Sequence, residues 1–188
     1  FTITVNDTQL PTITNLPANM TIATTSGCTA VATWPAVTGA DNCVLPANAV
    51  TYTTSPTANL MNGDAFPTGV TTVTYKVVDA ANNQITGSFT VTVTDDVDPV
   101  IVNIPANVVT TPNTTGCGAI VTWTAPTFTD CDQANTTMTS SHASGATFPV
   151  GVTTVTYTAT DGSNNVTTAS FTVTVNNNLV GGVVGTST

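Results

Sequence analysis

Residues 66–75 read FPTGVTTVTY and residues 148–157 read FPVGVTTVTY, so nine of the ten positions are identical at an offset of 82. At the end of the first stretch and just beyond it, Val73, Tyr75 and Val77 alternate with Thr72, Thr74 and Lys76, which is the period of a β-strand with one face buried and the other in water. Further pairs keep the same order at offsets of 88 to 89 before residue 44 and 82 after residue 65: Pro17/Pro105, Cys28/Cys117, Trp34/Trp123, Asp41/Asp130, Cys43/Cys131, Asp79/Asp161 and Phe89/Phe171. Two copies of one small domain indicate a modular array.

The repeat sets the predicted boundaries of the domains at residues 9–98 and 99–176. The opening FTITV at 1–5 matches FTVTV at 89–93 and 171–175, which ends each repeat. Residues 1–8 are therefore predicted to be the last strand of an upstream repeat or a donor strand, with Phe1, Ile3 and Val5 available for strand addition. Residues 177–188 differ in character and are predicted to be a linker or tail engaged by a neighbour.

Composition favours an all-β fold. The chain has 46 Thr, no Glu, no Arg and a single Lys, and the Thr-, Val- and Ile-rich runs favour pleated strands. Short strands between Gly, Pro and Asn clusters predict a two-sheet sandwich in each repeat. The candidate strands of the first repeat are 12–16, 20–24, 28–34, 49–54, 70–78 and 86–94, with a further short one around 57–61; those of the second are 100–104, 107–111, 117–124, 136–140, 152–160 and 168–175.

The four cysteines form two equivalent pairs, one in each repeat. Domains of this size gain only marginal stability from burial, so a covalent staple is expected. We predict bridges Cys28–Cys43 and Cys117–Cys131, each contributing about 3 kcal/mol in the loop-entropy model, with Trp34 and Trp123 buried against them. Reduced buried thiols are the alternative; zinc is disfavoured because the chain has one His. Disulfides indicate an oxidising, extracellular setting.

The net charge of −9, with one cationic side chain, argues against nucleic acid as a partner, because Lys and Arg are needed to neutralise phosphates. The same deficit disfavours docking on anionic membranes. No apolar run approaches the length of about 18 residues that a spanning helix needs, so direct membrane insertion is not expected.

The order of these features resembles the hyalin repeat (HYR) family of immunoglobulin-like extracellular modules. The resemblance covers most of residues 11–175 and rests on these segments: Leu16–Asn19 and Ile104–Asn107, Gly27-Cys28 to Trp34 and Gly116-Cys117 to Trp123, Asp41–Cys43 and Asp130-Cys131, Phe-Pro-x-Gly at 66–69 and 148–151, and the closing Phe-Thr-Val-Thr-Val. It implies two tandem immunoglobulin-like β-sandwiches. Family members often have a second Cys pair, but Leu16, Ile104, Ser88 and Ser170 stand in that neighbourhood here.

Acidic residues gather near the start of each repeat and in its last hairpin. The start of a domain and its final hairpin lie at the same end of a seven-strand sandwich, so both groups should meet there. Carboxylate and amide oxygens without a nearby cation suit Ca²⁺, which predicts a calcium site at the joint between repeats with these ligands: Asp95, Asp96, Asp98, Asp161 and Asn165. The alternative is that these residues only form turns and add solubility.

The resemblance implies a non-enzymatic adhesive or structural module of a bacterial-type extracellular surface protein or fibre. Adjacent repeats or subunits are the expected partners, with a surface glycan or a protein as the ligand. The alternatives are a carbohydrate-binding accessory module of a secreted enzyme and a self-assembling filament subunit that uses strand addition. Catalysis is not expected, because a lone His142 beside Ser140 and Ser141 is no evidence of a triad.

Overall fold

The computed structural model describes residues 1–24, 26–114 and 117–177. The chain divides into two units, and the boundary between them falls between Val97 and Asp98.

The first unit has eight strands arranged in three sheets. A four-stranded sheet has the order β2-β8-β7-β5, and two short pairs, β1-β4 and β3-β6, form the rest. Strand β2 runs parallel to β8, and every other pairing in the unit is antiparallel. The strands are β1 (Thr12–Thr14), β2 (Met20–Ala23), β3 (Thr29–Val31), β4 (Thr38–Ala40), β5 (Val50–Ser55), β6 (Ala65–Pro67), β7 (Gly69–Val78) and β8 (Gln84–Thr94).

The second unit repeats this arrangement, with the four-stranded order β10-β16-β15-β13 and the pairs β9-β12 and β11-β14. Its strands are β9 (Val100–Val102), β10 (Val108–Thr110), β11 (Gly118–Ile120), β12 (Thr127–Thr129), β13 (Thr137–Ser140), β14 (Thr147–Pro149), β15 (Gly151–Thr160) and β16 (Val166–Val175). The predicted fold class, two tandem immunoglobulin-like β-sandwiches, is confirmed.

The repeated stretch of sequence forms the long central hairpin of each unit. Val73, Tyr75 and Val77 of β7 point into the core together with Phe89 and its neighbours on β8. The threonines between them are only half-buried. The alternation therefore buries one face of the hairpin and leaves hydroxyl groups on the other, which removes the need for a second apolar layer outside.

An aromatic cluster fills the centre of the first unit. The Trp34 ring packs edge-on against Phe66 at 5.9 Å and against Phe89 at 5.1 Å between ring centroids. Its indole N–H donates a hydrogen bond of 3.0 Å to the Tyr75 hydroxyl. Trp34 is buried as predicted and packs against aromatic rings, but the predicted neighbouring bridge Cys28–Cys43 is not formed, because Cys43 is a free thiol.

The second unit builds the same cluster from Trp123, Phe148, Phe171 and Tyr157, with an indole-to-hydroxyl hydrogen bond of 2.7 Å. Here the tryptophan is half-buried, less completely than Trp34 in the first unit.

Four short strands were missed from the sequence: β4, β6, β12 and β14. Each has three residues, which is too few to show an alternating pattern. The segment at 57–61 is not a strand but contains a turn, where Asn59 adopts a φ of 66°. A left-handed residue of this kind is typical of turns and disfavoured in a strand.

Candidate cation site and the cysteines at the domain ends

The turn between β7 and β8 is built around a buried carboxylate. Asp79 is 3% exposed, and its Oδ1 accepts hydrogen bonds from the backbone N–H groups of Ala81 at 2.9 Å and Asn83 at 2.8 Å. The Asn83 amide donates to Asp79 Oδ2 at 2.8 Å and also to the backbone carbonyl of Asp7 at 3.2 Å. The segment that leads into β1 is thereby tied to this turn, and we call this end of a unit its head end.

Two carboxylates and a thiol come together at the head end of the first unit. One ligand atom each from Asp7, Asp41 and Cys43 lies within 4.8 Å of the other two. Asp7 Oδ1 accepts from the Gln9 N–H at 3.0 Å, and Asp41 Oδ2 accepts from the Cys43 N–H at 3.1 Å. The other oxygen, Asp41 Oδ1, is buried and accepts no hydrogen bond from the residues that the structure describes.

The surroundings of this thiol favour its protonated form over the thiolate. A hydrogen bond to Asp7 raises the pKa of Cys43, and desolvation and the negative charges of Asp7, Asp41 and Asp79 raise it further. A metal-bound cysteine is a thiolate, so this environment disfavours Cys43 as a ligand. The cluster instead offers carboxylate oxygens, which suit a hard cation such as Ca²⁺.

The last hairpin of the second unit has the same turn. Asp161 Oδ1 accepts from the N–H groups of Ser163 at 2.9 Å and Asn165 at 2.7 Å, and the Asn165 amide donates to Asp161 Oδ2 at 2.8 Å. The structure thus brings together two of the predicted calcium ligands, Asp161 and Asn165, although they bond to each other as the two sides of a turn.

The acids beside the second cysteine also lie at the head end of this unit. Asp130 Oδ2 accepts from the Asp132 N–H at 3.1 Å and from the Thr136 hydroxyl at 3.2 Å, while Asp130 Oδ1 is buried without a hydrogen bond from the described residues. A methyl group built on Gly162 would lie 2.7 Å from an Asp132 carboxylate oxygen, so Asp132 packs directly on the β15–β16 turn.

The predicted ligands Asp95, Asp96 and Asp98 follow β8. Asp95 is buried, and its Oδ1 accepts from the Thr24 hydroxyl at 3.3 Å and from the Val97 N–H at 3.1 Å. Asp96 uses its backbone N–H to donate to the same threonine at 3.1 Å. The side chains of Asp96 and Asp98 are exposed. Calcium binding by the predicted set stays a prediction.

Sequence reasoning missed Asp7 and Asp41 as members of one site. The signal was present, because Asp7/Asp95, Asp41/Asp130 and Asp79/Asp161 are three acidic positions that occur in both repeats. The predicted Cys28–Cys43 bridge prevented us from grouping Asp41 with Asp7, because that bridge would draw Asp41 towards the opposite end of the domain.

The predicted bridge Cys28–Cys43 is wrong. The Thr68 N–H donates to the Cys28 carbonyl at 3.2 Å, which places Cys28 beside the start of β7, whereas Cys43 lies near Asp79 just after β7. The ten residues of β7 extend over about 33 Å, but the two Cα atoms of a disulfide lie only about 4.4–6.8 Å apart. We call the Cys28 end of a unit its base end.

The predicted bridge Cys117–Cys131 is wrong for the same reason. Gly118 pairs with Pro149, just before β15 begins, so Cys117 lies at the base end, while Asp132 holds the neighbouring Cys131 at the head end. Cys43 and Cys117 are free, exposed thiols, whereas Cys28 and Cys131 are disulfide-bonded.

Three remaining predicted features lie at exposed positions or outside the structure. The imidazole of His142 contacts the Ser141 hydroxyl at 2.9 Å in an exposed loop. Phe1, Ile3 and Val5 are exposed in a segment without strand pairing in the structure, so their role in strand addition stays a prediction. Of the predicted linker or tail at 177–188, all but Asn177 lies outside the described residues.

Within the described ranges, no helix has the length and apolar character needed to cross a membrane.

Each unit is an immunoglobulin-like β-sandwich with the same acidic turn at its head end. A family model of the HYR domain matches residues 6–93 and again residues 94–175. The chain therefore belongs to the HYR domain family, and the resemblance seen in its sequence is confirmed.

The chain is similar to hyalin of Lytechinus variegatus, with 41% identity over 115 residues that make up 60% of this chain and 22% of that protein. It is also similar to hyalin of Strongylocentrotus purpuratus, with 40% identity over 129 residues, 64% of this chain and 11% of that protein. The chain thus spans less than a quarter of the length of either relative. Neither organism is a bacterium, so the comparisons do not support the bacterial-type origin expected from the sequence.

Among solved structures, cadherin domains 3–6 of protocadherin gamma B2 match 91% of this chain and 52% of that one, with a TM-score of 0.38 and 11% identity.

Proposed function

We propose that the two repeats are a non-enzymatic structural and adhesive module within an extracellular surface protein or fibre. The observation that carries the proposal is the duplication itself: the aromatic core and the acidic head-end turn are built twice from the same residue types. A protein that acts through one site needs one such site, whereas a spacer or adhesive array gains length and valency from each added copy.

The adhesive part of the proposal is tested with beads that carry the whole chain. We expect coated beads to aggregate, or to bind a surface that displays the chain, while beads coated with an unrelated β-sandwich of equal charge do not. Dispersed beads in both arrangements would contradict adhesion and leave only the spacer function. Measurable turnover that is abolished by His142→Ala would instead support an enzyme.

Calcium at the head ends is the second part of the proposal. In the first unit, the buried Asp41 Oδ1 and the Asp7 carboxylate supply oxygens next to a turn whose Asp79 carbonyl and carboxylate groups are already ordered. Ca²⁺ prefers such oxygens, and its charge would offset the repulsion among the acids. The ligands proposed for the joint between repeats offer the same kinds of oxygen atom, from carboxylate and amide groups. These ligands are Asp95, Asp96, Asp98, Asp161 and Asn165.

Thermal unfolding measures this binding. Saturation at 100 times the dissociation constant stabilises a domain by about 2.7 kcal/mol, which for a domain of this size raises Tm by roughly 10 °C or more. We expect Asp7→Asn combined with Asp41→Asn to abolish the calcium-dependent rise of the first unit, while Asp64→Asn, an acid outside these clusters, retains it. Identical melts in calcium and in EDTA would rule out the site and leave the array function untouched.

A glycan site is the second candidate function, and one observation favours it. Tyr52 is 37% exposed and lines a cavity of about 570 Å³ with Asn48, Thr51 and Asn59. The second repeat has a serine in place of this tyrosine, because Ser140 pairs with Tyr157 where Tyr52 pairs with Tyr75. An aromatic face beside hydroxyl and amide groups is suited to a sugar ring.

A glycan array distinguishes this function from the first. Binding by the parent chain that is lost in Tyr52→Ala, and retained in Val70→Ala at another exposed position on the neighbouring strand, would establish the site. Equal binding by all three proteins, or none by any, would exclude it.

Filament formation by strand addition is the third candidate. It relies on Phe1, Ile3 and Val5, whose side chains are exposed. Ile3→Asp should lower the oligomer mass measured by light scattering, while Val109→Asp at an exposed position of β10 should not. A parent chain that remains a monomer at high concentration would exclude this route.

A further inference from the structure

We propose that Cys43 and Cys117 form a covalent head-to-base joint between copies, in which the Cys117 sulfur of one molecule is bonded to the Cys43 sulfur of a second. The partner is thus a second copy of this chain. The joint deepens the array function proposed above and rests on it, because it supplies the link through which modules are joined.

The first observation is where the two thiols lie. Both are free and exposed. Cys43 is at the head end of the first unit, hydrogen-bonded to Asp7. Cys117 is at the base end of the second unit, since its neighbour Gly118 pairs with Pro149 and Gly151 pairs with Val175 at the end of β16. A chain with one accessible thiol at each type of end has the arrangement that open, repeated head-to-base association requires.

The second observation comes from the equivalent positions of the other repeat. Cys131 corresponds to Cys43, and Cys28 corresponds to Cys117. Both counterparts are disulfide-bonded. A cysteine at either kind of end can therefore reach disulfide geometry within this fold, so the two free thiols occupy positions that are suited to the bond.

Charge argues against a symmetric joint through Cys43, and the Cys43→Ser variant below tests a symmetric joint through Cys117. A Cys43–Cys43 bond would bring two head ends together, each with Asp7, Asp41 and Asp79 near the sulfur, and like charges at close range repel. The segments beside Cys117 are uncharged: 111–114, 147–151 and 175–177 contain no acid and no base. The base end can therefore approach the acidic head end without this penalty.

The bond forms by thiol–disulfide exchange with a small-molecule disulfide as oxidant. One protein thiolate attacks the oxidant, which forms a mixed disulfide and releases one small thiol. The thiolate of the second copy attacks the protein sulfur of the mixed disulfide, which forms the Cys43–Cys117 bond and releases the second small thiol. The two cysteines lose two electrons and two protons in total, and the oxidant takes up both.

The purified whole chain is incubated with oxidised glutathione, without prior reduction, and is then analysed on non-reducing gels. We expect a ladder of covalent oligomers that collapses to the monomer when a reducing agent is added. Trypsin is of little use because the chain has one Lys and no Arg, but cleavage before each Asp places the four cysteines in separate peptides: 7–40, 41–63, 98–129 and 130–131. The oligomers should yield 41–63 linked to 98–129.

Two single variants make the test directional. Cys43→Ser and Cys117→Ser should each remain monomeric, and an equimolar mixture should form dimers and go no further, because the mixture has only one Cys43 and one Cys117 to join. Dimers in either single variant, or a parent chain that stays monomeric in the oxidant, would overturn the proposal. Beads that carry the double variant Cys43→Ser/Cys117→Ser test the array function separately. If these beads still aggregate, the covalent joint has no role in adhesion, and the proposed adhesive function itself stands.

Discussion

Replacing Tyr75 with Phe removes one hydroxyl from the centre of the first unit, and Tyr157→Phe makes the identical change in the second. In each unit the lost oxygen is the acceptor of the tryptophan N–H, at 3.0 Å from Trp34 and 2.7 Å from Trp123. Neither substitution alters the ring, so the packing against the neighbouring aromatic side chains is retained.

The expected loss of stability differs because burial of the two indoles differs. Trp34 is 7% exposed, so its N–H is left unsatisfied in Tyr75→Phe, which costs about 1–3 kcal/mol. Trp123 is half-buried, and water can replace the lost hydroxyl, which limits the cost of Tyr157→Phe to about 0.5–1.5 kcal/mol. The longer hydrogen bond is thus expected to matter more, since burial and not length sets the penalty.

Amide hydrogen exchange followed by mass spectrometry measures the two units separately. In Tyr75→Phe the amides of β7 should exchange roughly 5- to 150-fold faster, because each 1.4 kcal/mol is tenfold, while those of β15 keep the parent rate. Tyr157→Phe should show the reverse pattern with a smaller factor. The untouched unit of each variant is the internal control.

Equal costs in both repeats, or a larger cost for Tyr157→Phe, would refute the argument from burial. A loss below about 0.3 kcal/mol in Tyr75→Phe would show that the indole N–H finds another partner in the first unit, and the hydrogen bond would then carry no stability of its own.

Three other outcomes are expected. Phe66→Ala empties a fully buried position beside the tryptophan and should cost about 3–5 kcal/mol in urea unfolding, whereas the same truncation of an exposed valine should cost almost nothing. Gly39→Ala places a methyl group 2.7 Å from Val77 Cγ1, and this overpacking should cost about 1–3 kcal/mol by the same assay; an unchanged midpoint would show that the core yields. Asp7→Ala removes the hydrogen bond and the charge that raise the pKa of Cys43, so the pH at half-maximal alkylation of this thiol should fall; a midpoint that stays or rises contradicts this assignment.

Much of the fold could be predicted from the sequence, because a strand with one buried face alternates apolar and polar residues along the chain. The alternation in Gly69–Val78 and Gln84–Thr94 needs no knowledge of distant contacts, and the second copy repeats it. The repeat itself set the number of domains, and composition favoured strands over helices. Four of the three-residue strands, β4, β6, β12 and β14, were not predicted, because their pairing depends on partners far along the chain and not on a local pattern.

The ends at which the acids and cysteines lie were decided only by the tertiary structure. Asp7 meets the β7–β8 turn through a hydrogen bond to Asn83, 76 residues away, and no local signal encodes that contact. Cys28 and Cys43 are close in sequence, but a ten-residue strand lies between the ends that hold them. Spacing along the chain limits how far apart two residues can be, while the order of the strands determines whether they meet.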